Sequence, residues 1–273
     1  MKKLKLNNGV EIPQLGLGVF RTEVGEQTEN AVKWALKAGY RHIDAAKIYN
    51  NEKSVGKAIR ESGVKREDIF VTTKLWNDDI IQRRTKEAFY ESLEALQMDY
   101  VDLYLIHWPV EGSDEAWHEM EMLYLAGKIR AIGISNFHKQ NIERLEKAAS
   151  IIPAVNQIES HPLLNNQKLI DFCKAKGIQV QVWSPLGGTG SNLLQNEILT
   201  QMATKYDKTP AQIVIRWNIQ RDVIVIPKSA HENRIISNKD VFDFELEQED
   251  MSIIHEMDKN FRVGPNPDDY NFK

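Results

Sequence analysis

Eight times along the chain a short run rich in β-branched residues gives way to a longer run with helical spacing, and this alternation restricts the fold more than any other feature. The short runs are 14–18, 40–44, 69–74, 101–107, 131–135, 154–157, 179–184 and 223–227. The helical runs are 25–38, 52–61, 83–96, 113–126, 139–148, 167–176, 196–206 and 231–238, with a further helix expected over 209–220. Strands separated by helices imply a parallel sheet. Several strands are apolar at consecutive positions, Val223-Ile224-Val225-Ile226 most clearly, as a sheet covered on both faces requires. Eight strand–helix units in about 250 residues fit a closed (β/α)8 TIM barrel. The competitor is an open doubly wound sheet. Its G-x-G-x-x-G fingerprint is missing, because Gly16-Leu17-Gly18 runs on to Arg21 instead of glycine.

Local signals agree with an α/β barrel. Gly39, Gly127 and Gly177 stand just past helical runs, where a left-handed cap is favourable. Pro210 suits the first turn of the helix over 209–220. Asn7-Asn8-Gly9, between apolar positions at 4–6 and 10–12, reads as a tight hairpin turn whose hairpin caps the barrel bottom. No Ser-, Pro- or Gly-rich linker divides the chain, so one domain over residues 1–273 is expected.

Composition removes several functional classes. Lys plus Arg is 35 against 39 Asp plus Glu, a net charge of −4, which lacks the basic surplus of a nucleic-acid binder. No apolar run approaches the ~18 residues of a membrane span, and no polybasic anchor is present. Met1-Lys2-Lys3-Leu4-Lys5-Leu6 turns polar too soon for a signal peptide. The one cysteine, Cys173, can form neither an intrachain disulfide nor a thiolate cage, and a small buried hydrophobe is the expectation for it. A reducing cytoplasm and a monomer are expected. No H-E-x-x-H pattern occurs, so no catalytic metal is expected, and His118, His138 and His255 are expected to be solvated.

The chemistry in a parallel barrel lies where the strands end. The second strand ends in Asp44, the third in Lys74 and the fourth in His107. A lysine at the mouth of an apolar strand needs a partner, and Asp44 is one strand away. Each residue alone would read as part of an ordinary buried ion pair; three at one end of adjacent strands point to function. Tyr49 follows Asp44 by five residues. A free phenol has a pKa near ~10, and a neighbouring ammonium is expected to lower it. Tyr49 is thus a candidate proton donor tuned by Lys74, with His107 able to bond the same substrate oxygen. Ser135, Asn136 and Gln157 could bond a planar polar ligand, and Trp183 could stack on it. Lys228 and Arg234 put two cations at the eighth strand's end, where a helix follows and phosphate is favoured.

Taken together these segments resemble the aldo-keto reductase family, from about Leu6 to Arg262. Three stretches carry the resemblance. They are Gly39-Tyr40-Arg41-His42-Ile43-Asp44-Ala45-Ala46 with Tyr49-Asn50-Asn51-Glu52, then Gly127-Lys128-Ile129-Arg130-Ala131-Ile132-Gly133-Ile134-Ser135-Asn136-Phe137, and last Ile226-Pro227-Lys228-Ser229 with Arg234 and Asn238. The resemblance implies NADPH-dependent reduction of aldehydes or ketones in a (β/α)8 barrel. It makes Tyr49 the general acid, Lys74 and Asp44 its tuning pair, and His107 the group that orients the carbonyl. It assigns the nicotinamide carboxamide to Ser135, Asn136 and Gln157, ring stacking to Trp183, and the pyrophosphate to Ser184, Leu186 and Gly187. Lys228, Ser229 and Arg234 would meet the 2′-phosphate and Asn238 the adenine, while Phe20, Trp76 and Trp108 would line the substrate pocket beside His107. Among family members the chain looks most like the bacterial reductases of 2,5-diketogluconate and glyoxal.

Ser237 departs from the glutamate, and Trp183 from the tyrosine, that many members carry. Short segments after His107, after Gly188 and beyond Arg262 suggest an open pocket of broad specificity, accepting small carbonyls, dicarbonyls such as methylglyoxal and keto-sugars. Two other readings fit parts of this pattern. A lyase could use Lys74 for a Schiff base, and borohydride trapping would reveal it. A redox-sensing subunit would hold the cofactor with little turnover.

Overall fold

The structure, a computed structural model, describes residues 2–269; Met1 and residues 270–273, included in the expected domain, lie outside them. The chain opens with an antiparallel hairpin of β1 (Lys3–Lys5) and β2 (Glu11–Pro13), in which Leu4 faces Ile12. Gly9 takes the left-handed conformation the turn demands, with φ +88°, and Leu6 N–H donates to Val10 O at 2.9 Å. The strands that follow are β3 (Leu17–Gly18), β4 (His42–Asp44), β5 (Phe70–Leu75), β6 (Val101–Ile106), β7 (Ile129–Ser135), β8 (Val155–Glu159), β9 (Gln179–Trp183) and β10 (Ile224–Val225). They pair in parallel, in chain order, into one sheet of eight. Bridges from Leu15 to Val225 and from Gly18 to Lys228 join its two edges. Gly16 N donates to Val225 O and Val225 N to Gln14 O, both at 2.9 Å, so the sheet closes and no edge is left unpaired.

Alternation along the strands divides the core in two. Inward-facing Phe70, Leu103, Leu105, Ala131, Val155 and Ile224 fill the lower barrel, and Leu6 and Ile12 of the hairpin plug it from below. Outward-facing Ile43, Val71, Tyr104, Ile106, Ile132 and Val180 pack against the surrounding helices. Gly133 leaves room inside the barrel, since a Cβ there would stand 2.6 Å from Val155 O and 2.7 Å from Leu105 Cδ2.

The helices are α1 (Glu26–Lys37), α2 (Glu52–Glu61), α3 (Asn77–Ile81), α4 (Thr85–Leu96), α5 (Ser113–Leu125), α6 (Lys139–Ala148), α7 (Gln167–Ala175), α8 (Glu197–Tyr206), α9 (Pro210–Gln220), α10 (Glu232–Lys239) and α11 (Gln248–His255). Thr209 and Gln212 form a reciprocal cap on α9, with Pro210 in its first turn, as the sequence suggests. The sequence reading omits α3 and α11. One is a single short turn after β5, and the other completes a satellite core of Leu199, Trp217, Leu246 and Ile254 outside the barrel. The first and last core strands are shorter than expected, and the last stops before Pro227, which has no N–H to donate. Cys173 is fully buried, as expected of a small hydrophobe. His138 corrects an expectation: it is only partly solvated, caps α6 and bonds Asp268 through Nδ1 at 2.7 Å. His118 and His255 are exposed.

Candidate active site

The inward register of β4, β5 and β6 delivers Asp44, Lys74 and His107 to one point at the barrel mouth. Lys74 is completely buried, and its Nζ donates to Asp44 Oδ1 at 2.5 Å, to the Ala45 carbonyl at 2.8 Å and to Tyr49 Oη at 3.4 Å. Tyr49 arrives on a 3₁₀ turn, Lys47–Tyr49, directly after β4, so five residues suffice to fold its hydroxyl back over the strand end. Its ring lies 5.9 Å from that of His107 and 5.0 Å from that of Phe20. The tyrosine, the lysine, the aspartate and the histidine form one constellation.

The electrostatics correct one expectation. Burial pushes the Tyr49 phenol up, and the Lys74 cation, which pulls it down, does not offset that fully. Tyr49 therefore holds its proton more firmly than a free tyrosine. Burial alone would lower the Lys74 ammonium, but Asp44 and Tyr49 more than compensate and its pKa rises. His107 is held well below the usual imidazole range, first by burial and then by the Lys74 charge. Its Nδ1 is buried without a partner, so Nε2 is the nitrogen open to the cleft. At neutral pH the site thus offers a protonated phenol, a fixed ammonium and an uncharged imidazole.

Gln157 and Gln181 hold the other face of Asp44, donating through Nε2 to Oδ2 at 2.7 and 2.8 Å. The sequence reading missed Gln181. Its signal was weak, because β9 alternates Gln179 and Gln181 with two valines, as a strand with one face in water also does. Gln157, expected on a ligand, spends its amide N–H on Asp44. Asn136 is similarly engaged: Nδ2 donates to His107 O at 3.0 Å and Ser135 Oγ at 3.1 Å, while Oδ1 accepts from Trp183 Nε1 at 2.9 Å. Ser135 Oγ donates to Gln157 O at 3.0 Å. The Ser135, Asn136 and Trp183 side chains are thus connected before any ligand arrives, with Ser135 also tied to the Gln157 backbone, and Asn136 keeps only a lone pair of Oδ1 for a ligand.

Aromatic walls stand around Tyr49. Phe20 is 50% exposed, which leaves that side open, and the Trp76 ring lies 5.2 Å from His107. Trp108 is buried and packs with the outer core. On the other side, Ser184 (φ 49°) begins a tight turn closed by Gly187 N–H to Ser184 O at 2.9 Å, and Leu186 packs beneath it. Lys228 and Arg234 are exposed and pair with no carboxylate among the described residues. Ser229 Oγ accepts from His231 N–H at 3.1 Å, and Asn238 is buried on the inner side of α10. No side chain caps the N-terminus of α10, and Arg234 stands in its first turn. Trp183, the backbone turn and the unpaired cations follow one another along the mouth, which fits an elongated, aromatic and phosphorylated ligand. Among the described residues no three His, Cys, Asp or Glu gather as a metal site. No described helix is long and apolar enough to cross a membrane.

The model described as the aldo/keto reductase family matches residues 14–259. Glyoxal reductase of Bacillus subtilis is 54% identical over 272 residues, covering 98% of this chain and 97% of that protein. Methylglyoxal reductase DkgA of Escherichia coli K12 is 44% identical over 270 residues, covering 98% and 97%. The crystal structure of MGS-M4, an aldo-keto reductase from a Medee basin deep-sea metagenome library, superposes with a TM-score of 0.95 at 47% identity, covering 98% of this chain and all of that one.

Proposed function

The chain belongs to the aldo/keto reductase family, and from that premise we propose that this carbonyl-reducing enzyme uses NADPH to convert small aldehydes and dicarbonyls to alcohols. The observation that carries the reading is the contact of one buried ammonium, Lys74, with both Asp44 and Tyr49 beside an uncharged His107. A bound nicotinamide cofactor supplies the hydride to the carbonyl carbon. Tyr49 Oη supplies the proton to the carbonyl oxygen. His107 Nε2 orients that oxygen by a hydrogen bond, and its depressed pKa leaves the proton transfer to the phenol. The Lys74 ammonium stabilises the phenolate that remains, and Asp44, fixed by Gln157 and Gln181, holds the ammonium in place.

The cofactor residues fit the same reading. Trp183 offers the stacking face, with Ser135, Asn136 and Gln157 beside it for the carboxamide. Ser184, Leu186 and Gly187 present the turn suited to pyrophosphate. Lys228, Ser229 and Arg234 suit a 2′-phosphate, and Asn238 suits the adenine. We take the chain as one catalytic domain over residues 1–273, acting as a cytoplasmic monomer. A Schiff-base lyase is disfavoured, because Lys74 is held protonated by three partners and a nucleophilic amine must be neutral. The intact proton-donor set favours turnover over a redox-sensing subunit.

The names of the glyoxal and methylglyoxal reductases, together with the open Phe20 side, support small dicarbonyl substrates. The deciding experiment follows NADPH absorbance against methylglyoxal, an aromatic aldehyde and a keto-sugar. Turnover of several unrelated carbonyls is expected. Loss of absorbance with one substrate alone would show a closed specificity wall, and loss with none would overturn the reading. Arg234→Ala tests the cofactor end. A hydrogen bond to a charged group is worth about 1.5–3 kcal/mol, so NADPH should bind roughly ten- to a hundredfold more weakly, while NADH, lacking the 2′-phosphate, is unaffected. The difference should shrink at high salt. Equal losses for both cofactors, titrated by tryptophan fluorescence, would place Arg234 elsewhere than on that phosphate.

A further inference from the structure

Two residues beyond Gln157 the same inward register of β8 puts a second carboxylate, Glu159, at the barrel mouth, paired in the sheet with Trp183. The proton chemistry proposed above does not use it. Its side chain is buried, and it faces no lysine or arginine within ion-pair distance among the described residues. Its two oxygens accept from His161 Nε2 at 3.0 Å and from two backbone N–H groups in a distant part of the chain, Val263 at 2.6 Å and Gly264 at 3.2 Å. A buried carboxylate is costly unless fully hydrogen-bonded, so such a site is built for those two N–H groups.

The segment it grips runs over the ends of the strands. Lys259 N and Phe261 N donate to Leu163 O at 3.1 and 3.0 Å. Further on, Asp268 accepts from His138 Nδ1 at 2.7 Å and Gln140 Nε2 at 2.8 Å. Between these anchors, Gly264 lies directly against the indole of Trp183. A Cβ added at Gly264 would overlap Trp183 Cη2 and stand 3.1 Å from Cζ3. Val263 lies over Gly188, whose added Cβ would meet Val263 Cγ2 at 3.2 Å. Trp183 is therefore fixed on two sides, by Asn136 Oδ1 at its Nε1 and by the strap at its benzo edge.

We propose that Glu159 is a positioning residue that holds the 259–264 strap against Trp183 and so fixes the indole plane on which the nicotinamide stacks. The proposal rests on the NADPH reading for its last step alone. Loss of the carboxylate frees the strap, Trp183 gains freedom, and the cofactor binds a poorly ordered platform. On the carbonyl side, Tyr49, His107 and Phe20 touch neither Glu159 nor the strap in any bond described above.

The test uses Glu159→Gln, Gly264→Ala and, as the reference that removes the reporter, Trp183→Phe. In the cofactor-free protein, acrylamide quenching of the Trp183 contribution, taken as the difference from Trp183→Phe, should rise in Glu159→Gln. NADPH should dissociate faster and its Kd rise about 5-fold or more, the low end for coupled sites, with the KM for the carbonyl unchanged. Gly264→Ala reaches the same indole from the strap side and should show the same split, so it decides the matter if Glu159→Gln does not fold. Unchanged Trp183 quenching, an unchanged NADPH Kd, or a carbonyl KM that rises in step with that Kd would overturn the proposal. Failure of the parent protein to bind NADPH would overturn the cofactor reading instead, and the cofactor-free quenching would still decide whether Glu159 anchors the strap.

Discussion

Tyr49→Phe is expected to slow carbonyl reduction by about 10²–10⁴-fold, the usual contribution of a positioned proton donor, while NADPH binds as before. The residues proposed for the cofactor lie on β7, β8 and β9 and on the segments after β7, β9 and β10, and none of them bonds the Tyr49 hydroxyl. The ring itself stays, so its contacts with Phe20 and His107 are preserved. Single-turnover rates and cofactor titration on the same sample separate the two effects. A variant with a third of the parent rate would remove Tyr49 from the chemistry. The pH profile adds a directional check. Burial raises the phenol, so the donor stays protonated through neutrality and the rate should fall only as pH climbs into the range above an ordinary tyrosine. The His107 imidazole, depressed by burial and Lys74, should contribute no limb near neutral pH.

Lys74→Met should lower both rate and stability. Methionine fills most of the space but leaves the Asp44 carboxylate buried, with only the Gln157 and Gln181 amides as side-chain donors. Breaking a buried pair from one side typically costs about 3–5 kcal/mol. The phenol loses the one cation that opposes its desolvation, so its pKa should climb further and proton transfer should slow. Thermal melting comes first, and rates are then compared below the lower midpoint. A folded Lys74→Met protein with parent activity would end both the tuning role and the Schiff-base alternative. Borohydride treatment of the parent with a carbonyl substrate should trap no adduct at Lys74.

What could be read from the residues alone follows from periodicity. Alternation puts every second residue of a barrel strand inside, so Asp44, Lys74 and His107 could be placed together without coordinates. Tyr49 sits on an irregular turn and became a candidate through its spacing and the family resemblance. Burial was not legible, and this is why the direction of the Tyr49 shift came out reversed: the attraction of a neighbouring cation can be guessed from sequence, the loss of water cannot. Nor could spacing reveal that Asn136 and Gln157 are already occupied by His107, Trp183 and Asp44, because those bonds cross between strands. Gln181 was hidden in an alternating polar–apolar strand that reads equally well as surface. The grip of Glu159 on residues 263–264 joins positions about a hundred apart through backbone N–H groups, which carry no side-chain signature at all.

The closure of the sheet also governs how the protein is made. The bonds that shut the barrel join 14–18 to 225–228, so they span most of the chain. During synthesis the growing sheet has two raw edges until residue 228 has emerged, and such edges are templates for pairing with other chains. Contacts this distant also close slowly, because a long loop must be ordered before they form. The segment that ends this exposure is the one carrying Lys228, so the nascent chain closes its sheet and gains the first cation of its cationic corner together. A fragment that stops short of it has neither, and is an open sheet exposed to aggregation.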